Sequence, residues 1–134
     1  PFQWSDKING GFSDVTPWIN TVGNYKEINL EKQQNTDDSI FKTYQEVFKL
    51  RKKLEANNGK VEFILLEDNE TFIYKNVTPT KEILVVSNFR SYEVHYNLGV
   101  DLKDYKQIMC NYSEENNAKE TVLRPYESTV YIKK

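Results

Sequence analysis

Twenty Asp and Glu side chains, one imidazole and one thiol are the groups in this chain that could carry acid/base or nucleophilic chemistry. Glycosidic hydrolysis and much proton transfer use two carboxyls held roughly 5 to 9.5 Å apart with unequal pKa values. Here the carboxylates stand in turn-like stretches (Glu67, Asp68, Glu70, Glu114, Glu115), on the polar side of a helical pattern (Glu46, Glu55) or beside lysines (Asp6, Glu27, Glu31, Asp104). Those are positions of solvated surface charge, so no pair is nominated as catalytic. His95 is the only imidazole base and could pair with Cys110, but both lie inside strand patterns rather than at the loop or helix starts that activate a thiolate. Cys110 alternates with Ile108 and Tyr112, which predicts a small core residue. Neither GxGxxG nor GxxxxGK[ST] nor GxSxG occurs, and Gly10-Gly11 reads as a turn before it reads as a phosphate cradle.

Aromatic residues make up 13% of the chain, with nine tyrosines. Aromatics on a β-sandwich can form a stacking platform for sugars, as in carbohydrate-binding modules. They are also the residues that pack best on a pleated sheet. Trp4 and Trp18 stand apart because they fall in a stretch without strand character. A formal charge of -2 gives no field to gather nucleic acid, and no apolar run approaches the roughly 18 residues that span a bilayer. One cysteine and one histidine make neither an internal disulfide nor a four-ligand zinc site, and no cofactor motif is present. Asn69, Asn76 and Asn111 each begin an Asn-x-Ser/Thr triplet, which chance explains in so asparagine-rich a chain.

The elements that must position these groups follow from spacing. In Pro1 to Ile19 the apolar residues fit no helical or strand repeat, and Asn9, Gly10, Gly11, Ser13, Asp14 and Pro17 interrupt them. A long aromatic loop is predicted, beginning at a cut end because no methionine precedes Pro1; loops of that length are usually functional or belong to something larger. A connecting segment follows from Asn24 to Thr36, with a helical turn at Leu30 to Gln34. Asp37, Asp38 and Ser39 offer an N-cap for an amphipathic helix over about Asp38 to Ala56, with Ile40, Phe41, Tyr44, Val47, Phe48 and Leu54 on one face and a stop at Asn57-Asn58-Gly59. Its apolar stripe needs a partner to cover it. Strands are expected at Val61 to Leu66, Thr71 to Val77, Glu82 to Asn88, Tyr92 to Asn97, Lys106 to Tyr112, Thr121 to Leu123 and Ser128 to Lys133. Glu67 to Glu70 and Thr78 to Lys81 are the hairpin turns. Alternation in Tyr92 to Asn97 sends His95 to solvent. The fold class is mainly β, an antiparallel β-sandwich preceded by a long loop and one amphipathic α-helix.

In order and spacing, PFQWSD at Pro1 to Asp6, GF at Gly11-Phe12, TPWI at Thr16 to Ile19, NYKEIN at Asn24 to Asn29, DSIF at Asp38 to Phe41, LRK at Leu50 to Lys52, NY at Asn111-Tyr112 and LRPYE at Leu123 to Glu127 resemble the C-terminal end of oligo-1,6-glucosidases of glycoside hydrolase family 13, the α-amylase family. The chain departs from that pattern in Phe2 for a usual Met, in Val22-Gly23 for a usual Asn-Pro, and in lacking the arginine that ordinarily precedes the proline.

The resemblance implies a retaining α-glucosidase parent acting on α-1,6-linked, and also α-1,4-linked, gluco-oligosaccharides. Its (β/α)₈ barrel would carry an Asp nucleophile, a Glu acid/base and a stabilising Asp, all upstream of Pro1. Residues 1–57 would be the loop and final helix of that barrel, and residues 58–134 the C-terminal sandwich that braces it. Gln3 and Trp4 would lie near the substrate cleft without being catalytic. The implied partner is the barrel, with no nucleic acid and no membrane, and the implied location is cytoplasmic. A trehalose-6-phosphate hydrolase or a glucan 1,6-α-glucosidase would share this signature. Two other readings stay open: a free-standing sugar-binding sandwich, and a piece that self-associates through Phe41, Tyr44 and Phe48.

Overall fold

The computed structural model describes residues 1–64, 67–99, 101–113 and 121–134. The chain divides into two compact units, Pro1–Leu50 and Arg51–Lys134. Leu65 and Leu66, the end of the first expected strand, lie outside the described residues, as do Glu114 and Glu115.

The second unit is built from strands β1 (Lys60–Ile64), β2 (Thr71–Val77), β3 (Glu82–Asn88), β4 (Val94–His95), β5 (Tyr105–Cys110), β6 (Val122–Leu123) and β7 (Ser128–Lys133). Five of them form one antiparallel sheet in the order β1-β2-β3-β7-β5, and β4 pairs with β6 in a short ribbon. The β2–β3 hairpin runs from Thr71 opposite Asn88 to Val77 opposite Glu82. Its turn is the predicted Thr78 to Lys81: the Thr78 N–H donates to the Lys81 carbonyl at 2.8 Å, and the Thr78 hydroxyl accepts from the Lys81 N–H at 3.0 Å. Before β2, Asp68 accepts from the Glu70 N–H at 2.9 Å and from the Thr71 hydroxyl at 2.5 Å, a side-chain turn of the Asx kind.

One core serves this unit. Ile73, Leu84, Val86, Tyr105 and Tyr131 on the sheet pack with Tyr96, Leu98 and Leu123 from in and around the ribbon and with Leu102 from the turn before β5. Leu84 and Val86 are wholly buried on β3, a central strand. Val94, Tyr96 and Leu98 are buried while His95 is exposed, as the two-residue period requires. Tyr92 is 52% exposed, because the chain bends after Asn88 and the strand starts only at Val94. In β5 a register shift between Gln107 and Met109 interrupts the alternation. Cys110 is consequently half-buried rather than the core residue that simple alternation predicts.

Helix α1 is the expected turn at Leu30–Gln34, and α2 runs over Ile40–Lys53, shorter at both ends than its periodicity suggests. At the start Ser39 is the cap: its hydroxyl accepts from the Lys42 N–H at 3.3 Å and its carbonyl from the Thr43 N–H at 2.9 Å. At the end the chain leaves the helix through Glu55 at φ 54°, before the Asn-Asn-Gly stop. Gly59 is extended at φ -88°, so its role is space rather than handedness. A Cβ there would sit 1.5 Å from Asn76 Oδ1, because the Asn76 amide reaches over to donate to the Ala56 carbonyl at 2.9 Å. Asn76 is thereby buried and closed to a glycan.

The first unit has a different economy. Its buried residues are Ser5, Gly10 and Asn29, and none of the chain's buried hydrophobic side chains belongs to it. Helix α2 buries no residue, and Ile40, Tyr44, Val47 and Phe48 are all exposed along its apolar stripe.

Candidate functional site

Polar groups stand in for a core in the opening loop. Gln3 donates from its side chain to Asn24 Oδ1 at 2.8 Å. The carbonyls of Gln3 and Trp4 accept from the N–H groups of Leu30 and Glu31 at 2.9 and 3.0 Å, satisfying donors that the first turn of α1 leaves free. The N–H groups of Trp4 and Ser5 both donate to the Gly10 carbonyl. Asn9, Gly10 and Gly11 follow one another in the left-handed region at φ 52°, 68° and 68°, and a Cβ at Gly11 would stand 2.4 Å from the Ser5 hydroxyl. Asn29, 3% exposed, caps α1 by accepting from the Lys32 N–H and ties back by donating to the Tyr25 carbonyl. The stretches Pro1 to Asp6, Gly10-Gly11 and Asn24 to Asn29 thus form one hydrogen-bonded assembly, with Gly10-Gly11 as its turn.

Beside this assembly lies a groove of about 420 Å³ lined by Phe2, Gln3, Ile28, Leu30, Phe41 and Tyr44, among others. The Gln3 amide is engaged with Asn24, and Trp4 packs edge-on against Phe2 with ring centroids 4.7 Å apart while remaining half exposed. Trp18 is 94% exposed. The lining of that groove includes Gln3 but neither Trp4 nor any carboxylate.

The second cluster gathers Cys110, Asn111 and Tyr112 at the end of β5 with the turn Arg124-Pro125-Tyr126-Glu127. Glu127 has no exposed surface and accepts through Oε2 from the Arg124 N–H at 2.8 Å and Nε at 3.0 Å, and through Oε1 from Nη2 at 3.0 Å. Cys110 Sγ and the Thr129 hydroxyl also approach Oε1, at 3.5 and 3.4 Å. Burial by itself would raise the Glu127 pKa, but the hydrogen bonds and charge of Arg124 outweigh it and hold the carboxyl below its ordinary value. The guanidinium lies 3.9 Å over the Tyr112 ring, and the Tyr112 hydroxyl donates to the Pro125 carbonyl at 2.8 Å. Asn111 bridges the same turn, donating to the Tyr126 carbonyl and accepting from the Ser128 N–H. Tyr126 takes φ 54° in a turn closed by the Glu127 N–H on the Arg124 carbonyl, with proline in the preceding position.

Chemically this is a brace. A carboxylate saturated by five donors and kept ionised by a guanidinium has no lone pair or proton to give a substrate. The contacts of Cys110 are with Glu127, Thr129, the Tyr112 N–H and Arg124, while His95 stands exposed opposite Val122. The pairing of that imidazole with the thiol does not appear among these contacts. Sequence reasoning missed the Arg124–Glu127 pair, although opposite charges three apart across a proline were its visible sign. It also missed Asn88, 2% exposed, whose amide donates to the carbonyls of Tyr92 and Arg124. Glu82 is a third such centre, receiving the Tyr105 hydroxyl and, at 3.4 Å each, Lys75 and Lys133.

Exposed rings also occur away from the two tryptophans. Phe63, Phe72 and Tyr74 lie within 6.3 Å of one another on β1 and β2, and Phe89 stands 6.0 Å from Phe72. Phe63, Phe72 and Phe89 are 52%, 41% and 64% exposed and bring no hydrogen-bonding group to this patch. No helix among the described residues is long and apolar enough to cross a membrane.

Residues 1–58 match the family model for the α-amylase catalytic domain. An oligo-1,6-glucosidase of Halalkalibacterium halodurans is 39% identical over all of this chain, which covers 25% of that protein. A trehalose-6-phosphate hydrolase of Bacillus subtilis is 35% identical over 98% of the chain and 24% of its own length. Among solved structures, the trehalose-6-phosphate hydrolase of Bacillus licheniformis superposes with a TM-score of 0.86 at 33% identity, over 100% of this chain and 25% of that one. The chain therefore has glycoside hydrolases of the α-amylase family as relatives and spans about a quarter of their length.

Proposed function

We propose that this chain is the non-catalytic C-terminal portion of a retaining α-glucosidase that hydrolyses α-1,6-linked gluco-oligosaccharides. The observation that carries the proposal is the state of residues 1–50. They align with a catalytic-domain family and yet contain no buried hydrophobic side chain, while Ile40, Tyr44, Val47 and Phe48 line an uncovered stripe. Burying each such side chain would contribute about 1.5 to 3 kcal/mol, so a barrel covering that stripe would gain substantially from it. In this reading residues 1–57 are the loop and last helix of the barrel, residues 58–134 are a C-terminal sandwich with a bracing role, and Gln3 and Trp4 lie near the substrate without taking part in proton transfer. The catalytic carboxylates belong to the upstream barrel, and the enzyme works in the cytoplasm.

The test is the coding DNA immediately upstream of the Pro1 codon, followed by assay of the whole product. An in-frame extension of barrel size, roughly 250 to 400 residues, whose product releases glucose from isomaltose supports the proposal. A start codon or secretion signal directly ahead of Pro1, or saturable binding of isomaltose to this chain alone, overturns it in favour of a sugar-binding module. The relatives also include trehalose-6-phosphate hydrolases, and cleavage of trehalose 6-phosphate in preference to isomaltose would assign the parent to that activity.

A further inference from the structure

Two Asn-Gly pairs occur in this chain, Asn9-Gly10 and Asn58-Gly59, and the fold treats them oppositely. An Asn-Gly pair can rearrange without an enzyme. The backbone nitrogen of the glycine attacks the asparagine Cγ, loses its proton, and the side-chain nitrogen departs as ammonia. Water then opens the resulting succinimide at either carbonyl, leaving aspartate or isoaspartate. The reaction needs a side-chain amide free to leave, a glycine nitrogen free to attack, and no Cβ in the way.

At Asn9 all of these are blocked except the last. The Asn9 amide donates to the carbonyls of Ser13 and Val15 at 2.9 and 3.0 Å. The Gly10 N–H donates to the Lys7 carbonyl at 2.9 Å, and Gly10 is buried against Gln3 and Tyr25. At Asn58 the restraints are fewer and weaker, although the Asn58 N–H donates to the Glu55 carbonyl at 2.9 Å. The side chain is exposed and has no hydrogen bond among the described residues. The Gly59 N–H reaches the Ala56 carbonyl only at 3.4 Å, and that carbonyl already takes the Asn76 amide at 2.9 Å. The neighbouring Asn57, by contrast, has its side-chain oxygen held by Arg51 Nε at 2.8 Å.

From this contrast we infer that Asn58 is a spontaneous deamidation and isoaspartate site, and that Asn9 is protected by the fold. Isoaspartate inserts a methylene into the backbone between Ala56 and Gly59, at the point where Asn76 fastens the Ala56 carbonyl to β2. The modification accordingly loosens that attachment.

The experiment incubates the full chain in mildly alkaline buffer and follows the peptides containing Asn9 and Asn58 by mass spectrometry, scoring the gain of about one dalton and methylation by protein isoaspartate methyltransferase. A parallel sample stays unfolded in denaturant. In the folded chain Asn58 should convert at least about tenfold faster than Asn9, because each hydrogen bond held at Asn9 must first open. In denaturant the two rates should converge. Asn58→Ser should abolish methylation of its peptide and leave the Asn9 peptide unchanged. Equal rates in the folded chain, no conversion at Asn58, or a difference that persists in denaturant overturns the inference.

Discussion

Glu127 shows how a buried charge is tolerated at the level of one residue. Its carboxylate is fully enclosed, but Arg124 meets both oxygens, and the remaining partners come from Thr129 and Cys110. Removing one member strands the other, which typically costs about 3 to 5 kcal/mol. Glu127→Gln should therefore lower the unfolding free energy of the Arg51–Lys134 unit by about 3 kcal/mol, as read by urea titration. The same residue makes stability depend on pH. Glu127 and Glu82 both have folded-state pKa values below the ordinary carboxyl value, Glu82 through the Tyr105 hydroxyl first and then its lysines. Their contribution is thus complete above the unfolded carboxyl pKa of about 4.3 and is lost as pH falls through the lower folded values. The thermal midpoint should hold steady from neutrality to about pH 5 and drop below it, with a shallower drop in Glu127→Gln. A midpoint that rises on acidification would contradict this. The pair left a local sign that was not read, because LRPYE read only as a motif and Asn111-Tyr112 as a strand end. Cys110, Asn111 and Tyr112 meet this turn across more than ten residues, where periodicity is silent, and the Arg124–Glu127 pair is closed by the turn through Pro125 and Tyr126 rather than by any repeat.

Among the elements, β3 and α2 make the sharpest comparison. Both are rich in apolar residues, and both were legible from the sequence: β3 by its continuous β-branched run, α2 by three- and four-residue spacing after Ser39. Only β3 spends its apolar residues on a core. Leu84 has no exposed surface, so Leu84→Ala should destabilise by about 2 to 5 kcal/mol. Phe48 is 59% exposed, and Phe48→Ala should change the stability of this chain by no more than about 0.5 kcal/mol. Denaturant titration of the two variants checks both numbers, and a large loss at Phe48 would mean that the stripe is covered within this chain. Element ends were less legible than element types. Ser39 and Glu55 bound α2 through a hydroxyl cap and a left-handed turn, and the β5 register shift moved Cys110 out of the core.

For the whole molecule, the uneven distribution of buried apolar surface predicts uneven stability. Residues 1–50 rest on hydrogen bonds around Gln3, Gly10 and Asn29, whereas residues 51–134 share a core centred on Leu84 and Val86. Limited proteolysis should cut within residues 1–50 well before it cuts the described strands, since segments with few buried apolar contacts open locally at low cost. Equal resistance of both units would refute this, and a monomer–dimer equilibrium in sedimentation would show that the exposed α2 stripe has found a second copy to cover it. What the sequence determined by itself was the order of its elements: a loop broken by Asn, Gly and Pro, a helix, then seven short strands, together with a resemblance spread along the chain. Those are properties of residue type and near-neighbour spacing, where backbone preference and side-chain period act. The tertiary structure alone decided which charges are enclosed, which strands are neighbours, and which of two identical Asn-Gly pairs is restrained. Strand order depends on groups brought together across tens of residues, the enclosed charge partly so, and the restrained Asn9 on a turn whose hydrogen bonds no residue period specifies; burial and hydrogen bonding acquire their energy only when those approaches have occurred.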